Sequence, residues 1–516
     1  MARIQNALRN TKYGLLGKIV NLCLGFVTRT IFIYILGSTY LGVNGLYSEI
    51  LGLLSFAELG FGSAMTFKLY KPVAEGDREK TIELLSFYKR VYQIIAAVIA
   101  FLGLCLLPCL PSIVKGADWL TVRQLRSYFL IFLFNTVVGY FVTYKYSYLN
   151  ALQKNYIQTN IETITSSVSS LAQILVIMLT RNFLLYLLIN SAVLTISRFI
   201  ISRYLNHRYP LLSETPEKQL GQGERSDIFK EVRGLVVHQF SSVAVHSTDN
   251  ILISMLSGLG VVAVGYVSNY NMLMTSVLGF VTIVFGSVTS GLGNMAAIEI
   301  PQRFCQVFKQ INFAAFWVYG FCAIAFWILI PPFITLWIGA DKLIDQISFT
   351  LIALNSYLVG LSSVYHNARI AKGNFGLDKK WAFIQAVVNL VVSVIAAKFL
   401  GLVGIFIGTI VSRLVYMLFR PRSTYSFLFE ESSRVYYRTI LLYSLWVFIA
   451  ATLTRLLTGF ILCEVTLIRF ILSALIVCVI PNLVFLLCTF RSVEFYEWKS
   501  KIGSYCSHFF NKRSKE

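Results

Sequence analysis

Long apolar runs recur along the whole 516-residue chain, with no long polar domain between them. A membrane-spanning helix needs about 20 predominantly apolar residues. Only 13% of the residues are charged, whereas soluble domains carry roughly 25%. Helices satisfy their own backbone hydrogen bonds in lipid, and a transmembrane barrel would instead show short alternating segments. The sequence therefore predicts an all-α, polytopic membrane protein.

The apolar runs predict about fourteen transmembrane helices, arranged as two six-helix bundles followed by two C-terminal helices. The predicted spans are Tyr13–Leu36, Gly42–Phe67, Val91–Leu110, Tyr128–Tyr144, Ile161–Thr180, Phe183–Ile201, Leu235–Leu256, Val261–Gly286, Phe313–Ile330, Ile347–Val364, Trp381–Ala397, Leu402–Phe419, Leu441–Leu457 and Val465–Phe490.

The basic residues give these spans an orientation. Cytoplasmic segments of membrane proteins are enriched in Lys and Arg, and most of the 45 basic residues collect on one side if the N-terminus is cytoplasmic. Both termini are then expected in the cytoplasm. This placement accounts for the net charge of +21 without a nucleic-acid partner.

A polar segment, Asn206–Gly234, follows the sixth predicted span and contains two prolines. We interpret it as the connector between two halves. The predicted domains are therefore an N-terminal six-helix bundle (1–205), a cytoplasmic connector (206–234), a second six-helix bundle (235–420), and two extra helices with a cytoplasmic tail (421–516). Two such halves are typical of transporters that bind substrate between their repeats.

Arg29 lies in the middle of the apolar stretch "GFVTRTIFIY", with no acidic residue within four positions. A charge at the bilayer centre costs at least about 2.5–3.5 kcal/mol on insertion scales. One interpretation is an ion pair with Glu58 or Asp249 that joins two helices. The other is a cation facing a water-filled cavity and ready for an anion. Arginine suits a phosphate because its planar fork donates bidentate hydrogen bonds. The two interpretations can coexist.

Other intramembrane charges have alternative explanations. Arg413 either snorkels to the inner surface or faces the protein interior, while Arg198 and Arg469 lie near enough to a surface to snorkel. Glu58 is in mid-span and Glu49 lies nearer the outside.

The seventh span carries polar residues that could couple transport to an ion. His246 and Asp249 are three residues apart and share a helix face, with Asn250 alongside and His238 about two turns upstream. Such a row could carry protons or bind a cation. The plainer alternative is that His238 is a packing residue.

Enzyme and metal motifs are not found. The nine cysteines contain no CxxC pair, so we expect neither a disulfide framework nor a zinc site. No Walker A, HExxH or GxSxG motif occurs, and the predicted outer loops are short. We therefore expect no enzyme activity, no cofactor and no metal. A scaffold for a sugar polymerase remains an alternative, and a membrane glycosyltransferase would normally have a large outer loop.

The segment "FVTRTIFIYILGSTYLGVNGLYSEILGLLSFAELGFGSAM" resembles the amino end of polysaccharide flippases. These are Wzx-like members of the multidrug/oligosaccharidyl-lipid/polysaccharide exporter superfamily. Arg29, Gly37, Gly42, Gly45 and the "ELGFG" segment from Glu58 occupy the family's positions. "STDNILISMLSGLGVVAVGYVSNYNML", "GNMAAIE", "PPFITLWIGA" and "FLGLVGIFIGTIVS" extend the resemblance, in order, over most of the chain.

The resemblance implies a V-shaped pair of bundles with a central cavity in a bacterial cytoplasmic membrane. It implies that a polyprenyl-pyrophosphate-linked oligosaccharide moves to the outer leaflet by alternating access. Arg29 matches a cavity arginine of related lipid II flippases, and Arg413, Glu58 and Glu49 are further cavity candidates. The implied partners are the lipid-linked oligosaccharide, membrane lipids, and a polysaccharide polymerase or assembly proteins. Drug exporters of the superfamily usually carry cavity acids, so a cation-coupled multidrug exporter is the alternative.

Overall fold

The computed structural model describes residues 2–58, 61–298, 300–372 and 379–501. Within these ranges, the side chains at 2–5, 7, 8, 56, 57, 63, 231, 233–246, 287–291, 293, 294 and 296–298 are outside the description. The described part contains helices and no strands, which confirms the all-α prediction. The helices are α1 (Ala2–Leu54), α2 (Phe61–Glu75), α3 (Arg78–Leu106), α4 (Leu110–Ile113), α5 (Val122–Ala151), α6 (Asn155–Thr180), α7 (Phe183–Arg208), α8 (Gln222–Leu256), α9 (Val261–Ile298), α10 (Pro301–Ile338), α11 (Gln346–Ala371), α12 (Lys379–Leu400), α13 (Leu402–Phe429), α14 (Ser433–Ile461) and α15 (Leu467–Thr489).

Within the described residues, 12 helices are long and apolar enough to cross a membrane. One of them, Arg9–Leu54, contains the first predicted span and the start of the second. The predicted seventh span, Leu235–Leu256, falls in the second half of α8, where the side chains at 235–246 lie outside the described residues, so this span remains a prediction.

Helix α1 is broken at Gly37, which has φ 84° and ψ 176°. Side chains other than glycine rarely adopt a positive φ of this kind. The break immediately follows Leu36, where the first predicted span ends, so this boundary is confirmed. The predicted second span is wrong as one continuous helix, because α1 ends at Leu54 and a 3-10 turn follows. This turn ends at Glu58, the first residue of the "ELGFG" segment. That segment contains two glycines, and glycine is a poor helix former.

The chain forms two compact units, Met1–Ser268 and Asn269–Glu516. In the first unit, α1 packs along α6 and also contacts α8, while α5 packs between α3 and α7. Helix α8 and the first turns of α9 thus belong to the first compact unit. The predicted domain boundaries, the V shape and the central cavity remain predictions.

The connector is tied to the start of α3 by ion pairs. Arg78 bonds Glu214, and Lys80 bonds Glu224 with an Nζ–Oε2 distance of 2.7 Å. Asp77 caps α3 by accepting a hydrogen bond from the Lys80 backbone N–H at 2.9 Å. The charged surface at this end of α3 therefore holds the connector in place within the first unit.

The second unit has a core rich in aromatic side chains. Phe316 of α10 packs against Tyr443 of α14 and Phe485 of α15, with ring centroids 4.3 and 4.9 Å apart. Gly320 makes room there, since a Cβ at this position would lie 2.7 Å from the side chain of Val447. The two C-terminal helices are thus packed directly on α10.

Candidate functional site

Arg29 lies on α1 where α7 and α9 approach it. Its guanidinium donates a hydrogen bond to the Ser268 hydroxyl, which in turn donates to the Gly265 carbonyl at 2.8 Å. Tyr186 of α7 lies within electrostatic reach of the guanidinium. A cation in an apolar helix is thereby hydrogen-bonded to a hydroxyl of another helix. The ion pairs considered for Arg29 remain predictions.

The aromatic side chains beside Arg29 fix the position of α1 against α7. Phe32 packs on Tyr186 with ring centroids 5.0 Å apart, and on Phe183 with centroids 5.9 Å apart. Both contacts are edge-to-face, a favoured geometry for aromatic pairs. One turn of helix thus separates the charged side chain from an aromatic anchor.

The two predicted acids of the α1–α2 region have different neighbours. Glu49 lies against the Ser247 hydroxyl of α8, and Glu58 lies against the Tyr140 hydroxyl of α5. Both carboxylates are half-buried. The described contacts therefore give each acid a hydroxyl partner on a different helix.

The ion-coupling candidates are only partly within the description. Asp249 and Asn250 are half-buried on α8, beside the buried Ser247 that contacts Glu49. The side chains of His238 and His246 lie outside the described residues. Their predicted alignment with Asp249 remains a prediction.

Arg413 belongs to the second unit, where it is buried on α13 with 9% of its surface exposed. The snorkelling alternative is wrong for this residue, because a snorkelling head group would be in water. The structure does not bring Arg413 and Arg29 together within one unit.

Two buried arginines that sequence reasoning missed meet at one imidazole. Nη2 of Arg420 lies 3.1 Å, and Nη2 of Arg369 3.4 Å, from Nδ1 of His366. Arginine has no acceptor, so Nδ1 must accept both contacts. Arg420 also stacks over Tyr416 and Tyr365, at 4.8 and 5.2 Å from their ring centroids. In the sequence these arginines look like inner-surface charges, and only the packing of α11 on α13 reveals the cluster.

No group of three or more His, Cys, Asp or Glu residues in the described part is placed to hold a metal ion.

The fold is similar to the folds of several solved structures that are 14–16% identical to this chain in sequence. The chain is similar to the lipid II flippase MurJ in an inward closed conformation, with a TM-score of 0.67 and 15% identity over 93% of this chain and 97% of that one. It is also similar to an inward-facing multidrug resistance MATE family transporter, with a TM-score of 0.60 and 16% identity over 79% of this chain and 98% of that one.

A third similar structure is a MOP superfamily transporter from Pyrococcus furiosus, with a TM-score of 0.54 and 16% identity over 82% of this chain and 96% of that one. No family model and no curated protein sequence matches the chain.

Proposed function

We propose that this protein is a flippase that moves a polyprenyl-pyrophosphate-linked oligosaccharide from the cytoplasmic to the outer leaflet for export of a cell-surface polysaccharide. It would act by alternating access in a bacterial cytoplasmic membrane, with both termini in the cytoplasm. The observation that carries the proposal is Arg29, a cation in the apolar helix α1 that is held by the Ser268 hydroxyl of α9. In this proposal Arg29 binds the pyrophosphate.

The extent of the structural similarity supports a lipid-linked substrate. The lipid II flippase structure covers 93% of this chain, whereas the MATE transporter structure covers 79%. The additional part of this chain that the flippase structure covers is long enough to include α14 and α15, the pair of helices predicted to follow the two bundles. A chain that extends beyond the MATE structure over this length fits the flippase better than the drug exporter.

The alternative is a cation-coupled multidrug exporter, and three acids favour it. Glu49, Glu58 and Asp249 are half-buried in the first unit, and a cationic drug would need a carboxylate partner. In the flippase proposal the same acids line the cavity, and Asp249, with Asn250 and the two histidines, couples transport to an ion gradient.

The test uses purified protein in liposomes loaded with a labelled polyprenyl-pyrophosphate oligosaccharide. The measured quantity is the fraction of label that becomes accessible to an enzyme added outside. We expect flipping by the wild type and its loss in Arg29→Ala. Arg469→Ala is the matched control, because Arg469 is half-exposed in a pair with Glu464 at 3.1 Å and exposed ion pairs contribute about 0–1 kcal/mol.

Equal flipping by wild type and Arg29→Ala would refute the anion-binding role of Arg29. No flipping by the wild type, together with uptake of an organic cation dye by the same preparation, would instead support the drug exporter. Faster flipping after a sugar polymerase is added to the liposomes would support the predicted assembly partners.

A further inference from the structure

A polar cavity of about 470 Å³ lies within the first unit, among α5, α6 and α7. Its volume falls in the range of roughly 300–1,000 Å³ that is usual for small-molecule sites. On α6 it is lined by Gln158, Glu162, Ser166, Ser169 and Gln173. These positions recur every three or four residues and therefore form one face of the helix. We call this cavity the polar groove.

The polar face of α6 is long for a helix of this composition. From Gln158 to Gln173 it extends over about 22 Å at 1.5 Å per residue. Yet α6, Asn155–Thr180, is one of the helices apolar enough to span a membrane. Its opposite face is apolar, and Val168 is 50% exposed there. Polar side chains inside membranes usually face a water-filled cavity or the protein interior, so the groove is a site for water or a polar ligand.

Two opposite charges line the groove. The Arg198 guanidinium of α7 donates to the backbone carbonyl of Asn135 on α5, and the Glu162 carboxylate accepts from Gln158 Nε2 at 2.8 Å. Both of these hydrogen-bond partners are neutral groups. Gly139 lets the guanidinium approach α5, since a Cβ at this position would lie 3.2 Å from Nη2 of Arg198. The Arg198 guanidinium therefore contacts α5 within the protein, whereas the sequence suggested that it snorkels to the membrane surface.

Neutral hydrogen-bonding groups and a few apolar side chains line the remainder of the groove. The Ser169 hydroxyl bonds Oδ1 of Asn190 at 2.6 Å. Other hydroxyls, amides and the Tyr146 side chain share the lining with Val142, Ile161, Leu194 and Ile201. Hydroxyl and amide groups both donate and accept, as do the hydroxyls of a sugar. A guanidinium with five N–H donors uses one of its nitrogens on Asn135. The chemistry of the groove thus matches a carbohydrate better than an apolar or cationic drug.

We propose that the polar groove binds the glycan of the lipid-linked substrate, with Arg198 and the amides of α6 and α7 as its hydrogen-bonding groups. This inference rests on the proposed flippase function and names the part of the substrate that the first unit recognises. The groove and Arg29 then have separate roles. Arg29 binds the pyrophosphate, which every substrate carries, and the groove distinguishes glycans by their size.

The test compares two probes in the liposome assay, polyprenyl pyrophosphate bearing one sugar and the same lipid bearing five sugars. Ser166→Phe fills the groove. Val168→Phe is the matched control, because it adds the same ring two residues away on the apolar face of α6. Gln173→Leu removes one amide with little change in volume and serves as the second groove variant. Thermal unfolding of each variant in detergent shows whether it folds.

We expect Ser166→Phe to slow the five-sugar probe at least about tenfold, as the loss of one or two hydrogen bonds to a charged or polar partner would, and to leave the one-sugar probe nearly unaffected. Gln173→Leu should lower the ratio of the five-sugar to the one-sugar flipping rate by a smaller factor. Val168→Phe should leave this ratio unchanged. An unchanged ratio in both groove variants, or equal slowing of both probes, overturns the glycan assignment. If the wild type moves neither probe, the proposed function fails, and this inference fails with it.

Discussion

At the scale of single residues, the question is what holds a permanent cation in an apolar helix. Arg29 is held by the hydroxyl of Ser268, 239 residues away in the sequence. Hydrogen bonds to a charged group contribute about 1.5–3 kcal/mol, which is comparable with the insertion cost of about 2.5–3.5 kcal/mol. The fold therefore offsets much of that cost before any substrate binds.

Replacing Arg29 by Lys tests whether the planar fork matters as well as the charge. We expect Arg29→Lys to retain part of the flipping rate, because the charge remains while bidentate binding is lost. Arg29→Ala should lose about 10- to 100-fold, the effect of removing charge-assisted hydrogen bonds. Initial flipping rates of the three proteins give the comparison. A lysine variant as fast as wild type would show that the fork is not used.

The Ser268 hydroxyl is expected to position Arg29 without binding the substrate itself. Ser268→Ala should reduce the flipping rate by roughly fivefold, about 1 kcal/mol for one hydrogen bond. The effect should vanish in an Arg29→Ala background, because the two residues act together and their effects do not add. A double-mutant cycle of flipping rates measures this. Additive losses would mean that Ser268 acts independently of Arg29.

At the scale of elements, the first unit depends on a close approach of α1 and α9. A Cβ on Gly42 would collide with the Val261 carbonyl, and a Cβ on Gly265 with the Ser38 carbonyl. Small residues at such crossings let helix backbones approach closely in membranes. This contact lies on the same two helices that join at Arg29 and Ser268, so it sets the distance between them.

Adding one methyl group at this crossing should separate the two helices. We expect Gly42→Ala to destabilise the protein by about 1–3 kcal/mol, the usual cost of overpacking, and to lower the thermal unfolding temperature in detergent. Gly45→Ala, one turn along α1, is the matched control. Its Cβ would lie 3.6 Å from the Val264 side chain, an ordinary contact. Equal unfolding temperatures for the two variants would contradict the tight crossing.

At the scale of the whole molecule, the distribution of charge predicts the orientation. The connector and both ends are rich in Lys and Arg, while the predicted outer loops carry few basic residues. Basic loops tend to stay in the cytoplasm. The ion pairs of Arg78 and Lys80 with the connector are therefore predicted to lie on the cytoplasmic side.

Short epitope tags in two exposed segments test this orientation. We expect a tag beside Glu464, between α14 and α15, to be reached by antibody in intact cells. A tag beside Glu217, in the connector, should be reached only after permeabilisation. Both tagged proteins should retain flipping activity, which shows that they are inserted normally. Labelling of the connector in intact cells would invert the predicted orientation.

Much of the helical architecture follows from the sequence alone. The predicted spans begin at Phe183, Val261 and Leu402, which are also the first residues of α7, α9 and α13, and the break at Gly37 follows the end of the first span. Such features are local, because an apolar helix in lipid satisfies its backbone within itself. The sequence by itself therefore determined the apolar helices, the break at Gly37 and the charged connector.

The partners of the polar side chains were decided only by the tertiary structure. Ser268 lies 239 positions from Arg29, and Arg420 lies 54 positions from His366, yet each pair is in contact. The physical reason is that a helix that is apolar all round gives no preferred face. Which side of it meets lipid, and which side meets another helix, depends on packing that appears only when the helices are assembled.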